Sequence, residues 1–583
     1  MEKLDPKQIE TILALTPLQQ GMLFNYLQNP QGQLYFEQLS LDISGEIAVE
    51  RFEKAWNTVI ETNEMLRTVF RWGKLEKPSQ IILKKHLCKV IVYDLSAKEN
   101  NQKKMALEEI KDKDRHETFD LHQVPFRVIL CKLDDNKYEM VISNHHILYD
   151  GWSTGVILKE FFRYYHELSH DERALKLSFK PPFKEFIKWI QNQDKNKQEQ
   201  FWQEYLAGVD TPTALPIKIR NDETKKAACY SLFLEENIKD MLDVFVKNNR
   251  VTLAAIFYGA WGILLQKYCA GEDVIMGTTM SGRSAQVKGI EEMVGLFINT
   301  IPLRVQTFPG EKISDVVFRT DNLLRALEEF ENTPLMDIRG YSRAAGTEAG
   351  GESLFDTIIA LENYPVDSRL LPVDSALSID SYTMTEMTDY DLTVGIIPFN
   401  TSNKIEVKFT YHRDALPDEI IINLAGHFKG IILNIIKNPE TAFSQLEIIS
   451  SEEKNRVLYE FNNTAAEYPA DKTICQLFEE QASRTPDRIA LVGQVGQVGP
   501  VRSVRLTYFQ LNEQADGLAG RLAEKGVRAN HIVGVMVERS IEMITAILAV
   551  LKAGAAYLPI DPGYPEDRIQ FMLDDAGVKV LLV

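Results

Sequence analysis

The sequence contains few cysteines and no closely spaced pair of them. Five cysteines occur in 583 residues, namely Cys88, Cys131, Cys229, Cys269 and Cys475. A disulfide framework and a zinc ribbon both need cysteines at short, paired spacings, so the sequence argues against either one. A reducing compartment is then the default environment, and we predict a cytoplasmic location.

A positive net charge and an uninterrupted apolar run are also missing. Asp and Glu outnumber Lys and Arg by 83 to 65, which gives a net charge of −18. Nucleic-acid phosphate would be repelled by such a surface, so no nucleic-acid partner is expected. Residues 1–10 contain no apolar signal segment. The apolar stretch 543–560 is interrupted by Lys552, Gly554 and Pro559, so it predicts a buried helix followed by a strand, and no membrane span.

Strand-like and helix-like patterns alternate along the chain and predict about three to five compact α/β units. Thr16 followed by Pro17 is typical of a helix start. Two strand patterns meet at Asp134–Lys137, which predicts a hairpin. The polar helical stretch 169–220 predicts a crossing between two lobes, and the composition near residue 450 is typical of an interdomain linker.

The stretch SNHHILYDGWS, residues 143–153, places two histidines side by side. Successive side chains of a strand point to opposite faces, so His145 and His146 do not converge on one metal ion while the strand continues. A third ligand at a fixed spacing is also missing, and no metal site is predicted. The dipeptide Asp150–Gly151 predicts a turn just before a helix.

Local physical chemistry leaves two interpretations of this stretch open. In the first, Asp150 caps the turn and both histidines are core residues with satisfied hydrogen bonds. In the second, one imidazole with a pKa near neutrality takes part in proton chemistry. The backbone N–H groups of Gly151 and Trp152 would then be available to an oxyanion at the helix start.

Several stretches, taken in order, resemble the core motifs of nonribosomal peptide synthetase condensation domains. The pattern HHxxxDG is also the signature of the wider superfamily of chloramphenicol-acetyltransferase-like acyltransferases. The other matching stretches are LTPLQQGMLF (15–24), NEMLRTVF (63–70), VGLFINTIPLR (294–304) and LFDTIIALENYP (354–365). The resemblance covers roughly residues 10–450, and Tyr149 and the region 340–353 lie where the family varies widely.

This resemblance implies an α/β fold of two chloramphenicol-acetyltransferase-like lobes in a V-shaped pseudo-dimer. A tunnel is expected between the lobes, with the histidine motif at their seam. By the motif, His146 is the working histidine, either as a general base or as a group that positions the amine. His145 is expected to be its structural neighbour, and Gly151 to belong to the same site.

The resemblance also implies a structural ion pair for Asp150. Arg67 is the first candidate for its partner, and Arg283 is the second. Trp152, Ser153 and Asn299 are expected to line the tunnel.

Condensation domains join two substrates that are each held as a thioester on the 4′-phosphopantetheine arm of a carrier domain. No cofactor is therefore expected on this chain itself. Because the sequence begins at Met1, we expect the donor carrier domain on another synthetase subunit and the acceptor carrier domain downstream in the same module. The stretch 15–24 and the histidine motif resemble more closely the condensation domains that take a D-configured donor.

Two later stretches, 506–527 and 551–573, resemble the first two core motifs of adenylation domains. The phosphate loop and the late catalytic lysine of that family are not among these residues, so no adenylation activity is expected from this fragment. The predicted organisation is a docking-type segment 1–11, an N-lobe 12–175, a C-lobe 176–450, a linker 451–470 and a partial α/β adenylation-domain fragment 471–583.

Other interpretations of these patterns are possible. An epimerisation domain shares HHxxxDG but normally follows a carrier domain, and a noncatalytic carrier-recruiting module typically loses the second histidine, which is present here as His146. The stretch GTTMSGRS (277–284) resembles a phosphate-binding loop, but Arg283 stands in place of the lysine. His166 and His170 have helical spacing but lie among solvated charges, so an exposed surface is the favoured interpretation.

Overall fold

The computed structural model describes residues 4–30, 32–73, 77–170, 175–209, 211–217, 227–344, 354–362, 370–386, 390–398, 404–495 and 502–583. These residues form two compact units, Met1–Arg456 and Val457–Val583. The division between the units falls within the stretch that the sequence analysis assigns to an interdomain linker. Each unit is described by itself.

The first unit is built from strands and helices that alternate along the chain. Its strands are β1 (Ile9–Ala14), β2 (Phe36–Ser44), β3 (Thr68–Arg71), β4 (Ser79–Leu83), β5 (Ile91–Asp94), β6 (Phe126–Asp134), β7 (Lys137–His145), β8 (Ala227–Leu234), β9 (Asp273–Met280), β10 (Asn299–Gln306), β11 (Thr357–Leu361), β12 (Ser378–Glu386), β13 (Leu392–Ile397) and β14 (Ile405–His412). Its helices are α1 (Pro17–Gln28), α2 (Val49–Thr62), α3 (Asn100–His116), α4 (Gly151–His170), α5 (Lys184–Gln191), α6 (Lys195–Tyr205), α7 (Glu236–Asn249), α8 (Leu253–Cys269), α9 (Ile313–Leu327), α10 (Leu335–Ala344), α11 (Asp418–Lys437) and α12 (Ser451–Asn455).

Two large sheets organise the first unit. One has the strand order β12-β2-β7-β6-β5, and the other has the order β10-β9-β11-β13-β14-β8. A smaller sheet has the order β1-β4-β3. Each large sheet contributes to its own buried core. The first core contains residues of the β12-β2-β7-β6-β5 sheet and of helices α2 and α4. The second core contains residues of the other large sheet and of helices α8 and α11. The predicted α/β character is therefore confirmed.

Segments that follow residue 175, the predicted boundary between the lobes, pack against the first sheet and its core. Strand β12 lies well after residue 175 in the sequence, but it pairs in antiparallel fashion with β2 of the first sheet. Phe183, Phe186 and Phe297 also lie in the first core, although all three follow residue 175 in the sequence. The sequence shows which segments are extended, but it does not show which strand each one pairs with, so a single cut at this residue does not separate the two sheets.

Short-range predictions agree well with the structure. Thr16 caps α1 in a reciprocal capping box with Gln19, and Pro17 occupies the first turn. Strands β6 and β7 form the predicted hairpin, in which Asp134 lies opposite Lys137. Both features depend on residues that are close in sequence, because helix caps and hairpin turns are specified by residue types only a few positions apart.

The N-terminal segment is part of the folded unit. Only Pro6–Gln8 form a short helical turn, and the residues that follow form β1, in which Ile12 lies opposite Ile81 of β4. Residues 9–11 of the expected docking-type segment 1–11 therefore belong to a sheet of the first unit.

Helix α11 is the one helix of the described ranges that is long and apolar enough to cross a membrane. Its residues Ile421, Leu424 and Phe428 have no exposed surface and belong to the second core. A buried core helix meets the same criteria of length and composition, so these criteria alone are weak grounds for a membrane span.

The second unit is also an α/β structure. Its elements are α13 (Ile474–Arg484), β15 (Ile489–Val495), β16 (Arg502–Thr507), α14 (Tyr508–Glu524), β17 (Ile532–Val535), α15 (Ile541–Lys552), β18 (Ala556–Pro559), α16 (Glu566–Asp575) and β19 (Val580–Leu582). Strands β18, β17 and β19 pair in parallel in that order, and β15 pairs with β16. The buried helix and following strand predicted for 543–560 correspond to α15 and β18.

A glycine with positive φ supports the turn that follows β9. Gly282 has a φ of +66°, and a Cβ built on it would lie 1.8 Å from the carbonyl oxygen of Phe297. Gly310 has a similar φ of +78°, but no atom lies within 4 Å of its added Cβ. The two glycines therefore separate the cost of the backbone conformation from the cost of a steric clash.

We predict that Gly282→Ala lowers the thermal unfolding midpoint of the first unit much more than Gly310→Ala. Left-handed backbone costs alanine about 1–2 kcal/mol at either position, and only position 282 adds the overlap with Phe297. Calorimetry on the purified 583-residue chain measures both shifts. Equal shifts for the two variants would contradict this assignment.

Candidate active site

The two histidines lie where β7 ends and the chain turns towards α4. His145 is the last residue of β7, and the backbone N–H of His146 donates to the carbonyl oxygen of Tyr35 at 2.8 Å. This hydrogen bond extends the antiparallel pairing of β7 with β2 by one residue, so the alternation expected for the pair holds through His146. His146 lines a cavity of about 400 Å³, whereas His145 is buried beside it and does not line the cavity.

The imidazole of His146 is held through one nitrogen. Its Nδ1 lies 2.9 Å from the carbonyl oxygen of Tyr149 and 2.9 Å from Oε1 of Glu37. Both neighbours are acceptors, so Nδ1 carries a hydrogen and donates it. Nε2 has no hydrogen-bond partner among the described residues, so this second nitrogen is left for a bound ligand.

The charge of His146 is set by its surroundings. Burial disfavours the charged form of His146, but the charge and hydrogen bond of Glu37, the charge of Glu386 and the Tyr149 carbonyl outweigh it. Together they raise the pKa of His146 to about 9. At neutral pH His146 is therefore a cation, and its Nε2 presents a hydrogen to the cavity.

His145 has the opposite character. Burial, and then the charge of the neighbouring His146, lower the pKa of His145 to about 3. Its Nδ1 accepts a hydrogen bond from the N–H of Ile147 at 3.1 Å, and its ring contacts those of Tyr26 and Tyr35. His145 is thus a neutral ring that is hydrogen-bonded within the turn beside His146.

Glu37 is a site residue that the sequence analysis missed. Its Oε2 accepts from Nδ2 of Asn144 at 2.8 Å, and Oδ1 of Asn144 accepts from the hydroxyl of Tyr149 at 2.8 Å. Both oxygens of this buried carboxylate are therefore occupied, one by His146 and one by Asn144. A charged residue within the apolar alternation of β2 was the available signal, because a buried acid needs a partner.

Asp150 is fully buried and fully hydrogen-bonded. Its Oδ1 accepts from the N–H and the hydroxyl of Ser153 at 2.9 and 2.8 Å, and its Oδ2 accepts from the N–H of Phe297 at 3.0 Å. The guanidinium of Arg283 donates to Oδ1 at 3.2 Å. Asp150 therefore caps α4 and fixes the loop before β10 at the same time.

The expectation that Arg67 pairs with Asp150 is wrong. Arg67 forms an ion pair with Glu10 of β1 and donates to the carbonyl oxygen of Leu83 at the end of β4. The second candidate, Arg283, is the partner. Spacing along the chain did not separate the two arginines, because the turn after β9 reaches Asp150 only through the packing of the two sheets.

The residues expected to line the tunnel fall into two groups. Gly151, Trp152 and Asn299 line the 400 Å³ cavity together with His146. Ser153 does not line it, so that expectation is wrong: its hydroxyl is buried and bonded to Asp150 and to the backbone of Gly295. The side chain of a helix's third residue points back to the capping carboxylate, which places Ser153 behind the cavity wall.

Two patterns considered as alternatives have structural explanations. The stretch 277–284 forms the end of β9 and the turn that brings Arg283 to Asp150. His170 lies at the exposed end of α4, with Nδ1 bonded to the carbonyl oxygen of His166. Within the described ranges there is no group of three or more His, Cys, Asp and Glu side chains that could hold a metal ion.

We predict that Glu37→Gln removes a pH-dependent part of the stability. The folded-state pKa of His146, about 9, lies above the ordinary imidazole value of about 6.5. The contact with Glu37 therefore stabilises the fold fully below about pH 6.5, and this contribution is lost as the pH rises through about 9. The thermal unfolding midpoints of wild type and Glu37→Gln should differ most near pH 6 and least near pH 10.

The exposed carboxylate of Asp380 provides a matched control on neighbouring β12. Asp380→Asn should show no such trend, because Asp380 contacts the hydroxyls of Ser44 and Ser378 and no histidine. A difference between wild type and Glu37→Gln that stays constant from pH 6 to 10 would contradict the charge state assigned to His146.

Comparison with known proteins assigns both parts of the chain. The family profile described as Condensation domain matches residues 9–458, and the profile described as AMP-binding enzyme matches residues 478–583. Tyrocidine synthase 3 of Brevibacillus parabrevis is 35% identical over 583 residues, and bacitracin synthase 3 of Bacillus licheniformis is 34% identical over 583 residues. These matches cover 99% and 98% of this chain but only 9% of the length of either protein.

Solved structures share the fold. A four-domain nonribosomal peptide synthetase bound to AMP and glycine matches with a TM-score of 0.75 at 19% identity, over 100% of this chain and 44% of that one. The first condensation domain of the calcium-dependent antibiotic synthetase, in complex with a substrate analogue, matches with a TM-score of 0.63 at 16% identity, over 76% of this chain and 100% of that one. At these identities the likeness concerns the fold alone.

The condensation-domain profile spans more than half of the chain, and the paired histidines, the Asp150–Gly151 turn and the cavity lie within the matched range. This chain therefore belongs to the condensation-domain family of nonribosomal peptide synthetases, and a segment that matches AMP-binding enzymes follows the condensation domain.

Proposed function

We propose that the first unit forms a peptide bond between two carrier-bound substrates. The amine of an aminoacyl group on a downstream acceptor carrier domain attacks the thioester of an aminoacyl or peptidyl group on an upstream donor carrier domain. The observation that carries this proposal is the placement of His146 at the cavity. Glu37 and Tyr149 anchor its Nδ1, and no described residue bonds to its Nε2.

The charge state of His146, set by Glu37 and Glu386, favours a hydrogen-bond donor at Nε2 and not a proton acceptor. With Nδ1–H already committed and the cation favoured at neutral pH, Nε2–H donates to the oxygen that becomes negative when the amine adds to the thioester. Donors preorganised in this way in a water-poor site stabilise the transition state substantially. In this proposal His146 positions and stabilises the reacting groups, which is the second of its two expected roles.

Most of the rate enhancement is expected from holding the two substrates together. Correct placement of two reactants is worth roughly 7–11 kcal/mol in favourable cases. The cavity wall combines apolar side chains, such as Met22, Leu335 and Ile358, with about as many polar ones. The apolar part of the wall reduces access of water to the thioester, which favours attack by the amine over hydrolysis.

The substrates reach the site on the 4′-phosphopantetheine arms of partner carrier domains, so the arm is part of each substrate and the chain itself needs no cofactor. The names of the relatives, which include tyrocidine and bacitracin synthases, support a role in the synthesis of a peptide antibiotic. The proposed location is the cytoplasm, from the few and unpaired cysteines. We also propose that residues 471–583 do not activate an amino acid by themselves.

The donor is proposed to be D-configured, on the strength of the resemblance of residues 15–24 and of the histidine motif to that subtype. An epimerisation domain and a noncatalytic recruiting module of the same family are the alternatives. A condensation domain, an epimerisation domain and a recruiting module would each give a different outcome in the same assay, so one experiment distinguishes them.

We predict that His146→Ala reduces peptide-bond formation between loaded carrier domains by about 100-fold or more, because the donor at Nε2 is lost. His170→Ala is the matched control, since it removes an exposed histidine of α4 and should leave the rate unchanged. His146→Gln retains an amide that can donate to Glu37, so this variant separates loss of catalysis from loss of folding. Full activity of His146→Ala would refute the assignment of His146.

We predict faster condensation with a D-configured donor than with its L-enantiomer on the same donor carrier domain. Mass spectrometry of the acceptor carrier domain measures the product, and chiral analysis follows the configuration of the donor. Inversion of the donor without bond formation would show an epimerisation domain. Binding of both carrier domains with neither reaction would show a recruiting module.

A further inference from the structure

A second carboxylate lies beside His146 on the cavity wall. Glu386 is the last residue of β12 and lies directly opposite Glu37 of β2 in the antiparallel register. Side chains directly opposite each other in such a pair point to the same face, with Cβ atoms about 4.5–5.5 Å apart. Glu37, His146 and Glu386 all line the same cavity.

The two carboxylates differ in what already binds them. Both oxygens of Glu37 accept hydrogen bonds, from His146 and from Asn144. Glu386 has no hydrogen-bond or ion-pair partner among the described residues, and the nearby Lys408 donates to the carbonyl oxygen of Met384 instead. Glu386 is therefore the carboxylate that remains available to a molecule in the cavity.

The electrostatic surroundings of Glu386 come from three other elements. Burial, and then the charge of Glu37 on β2, raise the pKa of Glu386, while Lys408 on β14 and His146 in the turn oppose that shift. A carboxylate whose pKa lies above its usual range is a better proton acceptor than an ordinary one. A cationic group placed between Glu37 and Glu386 would also relieve the repulsion between their charges.

We propose that Glu386 is a catalytic residue that binds the ammonium group of the acceptor aminoacyl substrate and accepts its proton before attack. This proposal rests on the proposed function of peptide-bond formation. It assigns to Glu386 the proton acceptance that His146 cannot perform while its ring is charged, because Nε2 then already carries a hydrogen.

The proposed step is balanced in protons and electrons. The acceptor ammonium gives one proton to the Glu386 carboxylate, and the lone pair of the resulting amine forms the C–N bond at the thioester carbonyl carbon. The carbonyl oxygen carries the negative charge next to Nε2–H of His146. The C–S bond then breaks, the leaving sulfur takes the second amine proton to become a thiol, and protonated Glu386 returns its proton to solvent after the product leaves.

The test uses Glu386→Gln in the full chain, with loaded donor and acceptor carrier domains and a single-turnover assay. An α-amine with a pKa near 8 is about nine-tenths protonated at pH 7. We therefore expect Glu386→Gln to slow condensation by about tenfold or more at pH 7. The difference from wild type should shrink as the pH rises towards 8.5, because the free amine then forms without help. Asp380→Asn, on the exposed part of the same strand, should behave as wild type.

An acceptor carrying an aminooxy group in place of the α-amine distinguishes a proton acceptor from a structural residue. This nucleophile is already neutral at pH 7, so it should react equally fast with wild type and Glu386→Gln. Equal slowing with both acceptors, or slowing confined to acceptors with a cationic side chain, would overturn the proposal. So would an unchanged rate with the α-amine. If wild type itself forms no amide, the proposed function fails, and that result is distinct from a failure of Glu386 alone.

Discussion

The buried carboxylate of Asp150 holds the two halves of the first unit together at the cavity. It accepts hydrogen bonds from Ser153 at the start of α4, and from Arg283 and Phe297 on the other side of the site. A carboxylate with no exposed surface is stable only when its charge is balanced and its lone pairs are occupied. Because the donors come from both halves, the turn after β7, the start of α4 and the loop before β10 are placed relative to one another.

The turn that Asp150 holds in place also carries His146, whose neighbours are the charged groups of the cavity wall. Glu37 holds Nδ1 of His146, and Asn144 occupies the remaining oxygen of Glu37. Among the described residues, Nε2–H of His146 is then a positive donor and Glu386 a carboxylate without a hydrogen-bond partner on the same wall. Environments that push the pKa values of neighbouring groups apart allow one group to stabilise negative charge while another accepts a proton. The division of labour that we propose therefore follows from hydrogen-bond partners and not from residue type.

Features governed by neighbours in sequence could be predicted, and features governed by distant partners could not. Thr16 caps α1 and the β6–β7 hairpin closes at Asp134 as expected, because capping and turn chemistry act over a few residues. The partner of Asp150 was wrongly chosen as Arg67, and Ser153 was wrongly placed in the cavity lining. The first error concerns contacts that form only when two sheets pack, and spacing along the chain carries no information on those. The position of Ser153 follows from local capping geometry, which predicts that its hydroxyl points back to Asp150.

The sequence by itself determined the family, the pair of histidines, and the turn and helix that follow them, because these depend on a contiguous motif and on short-range backbone preferences. Only the tertiary structure decided that His146 is anchored by Glu37 and faces Glu386. Those two carboxylates meet because β12 crosses from the second half of the chain to pair with β2. The pairing of distant strands depends on burial of a whole sheet face and on register, and no local pattern in either strand specifies it.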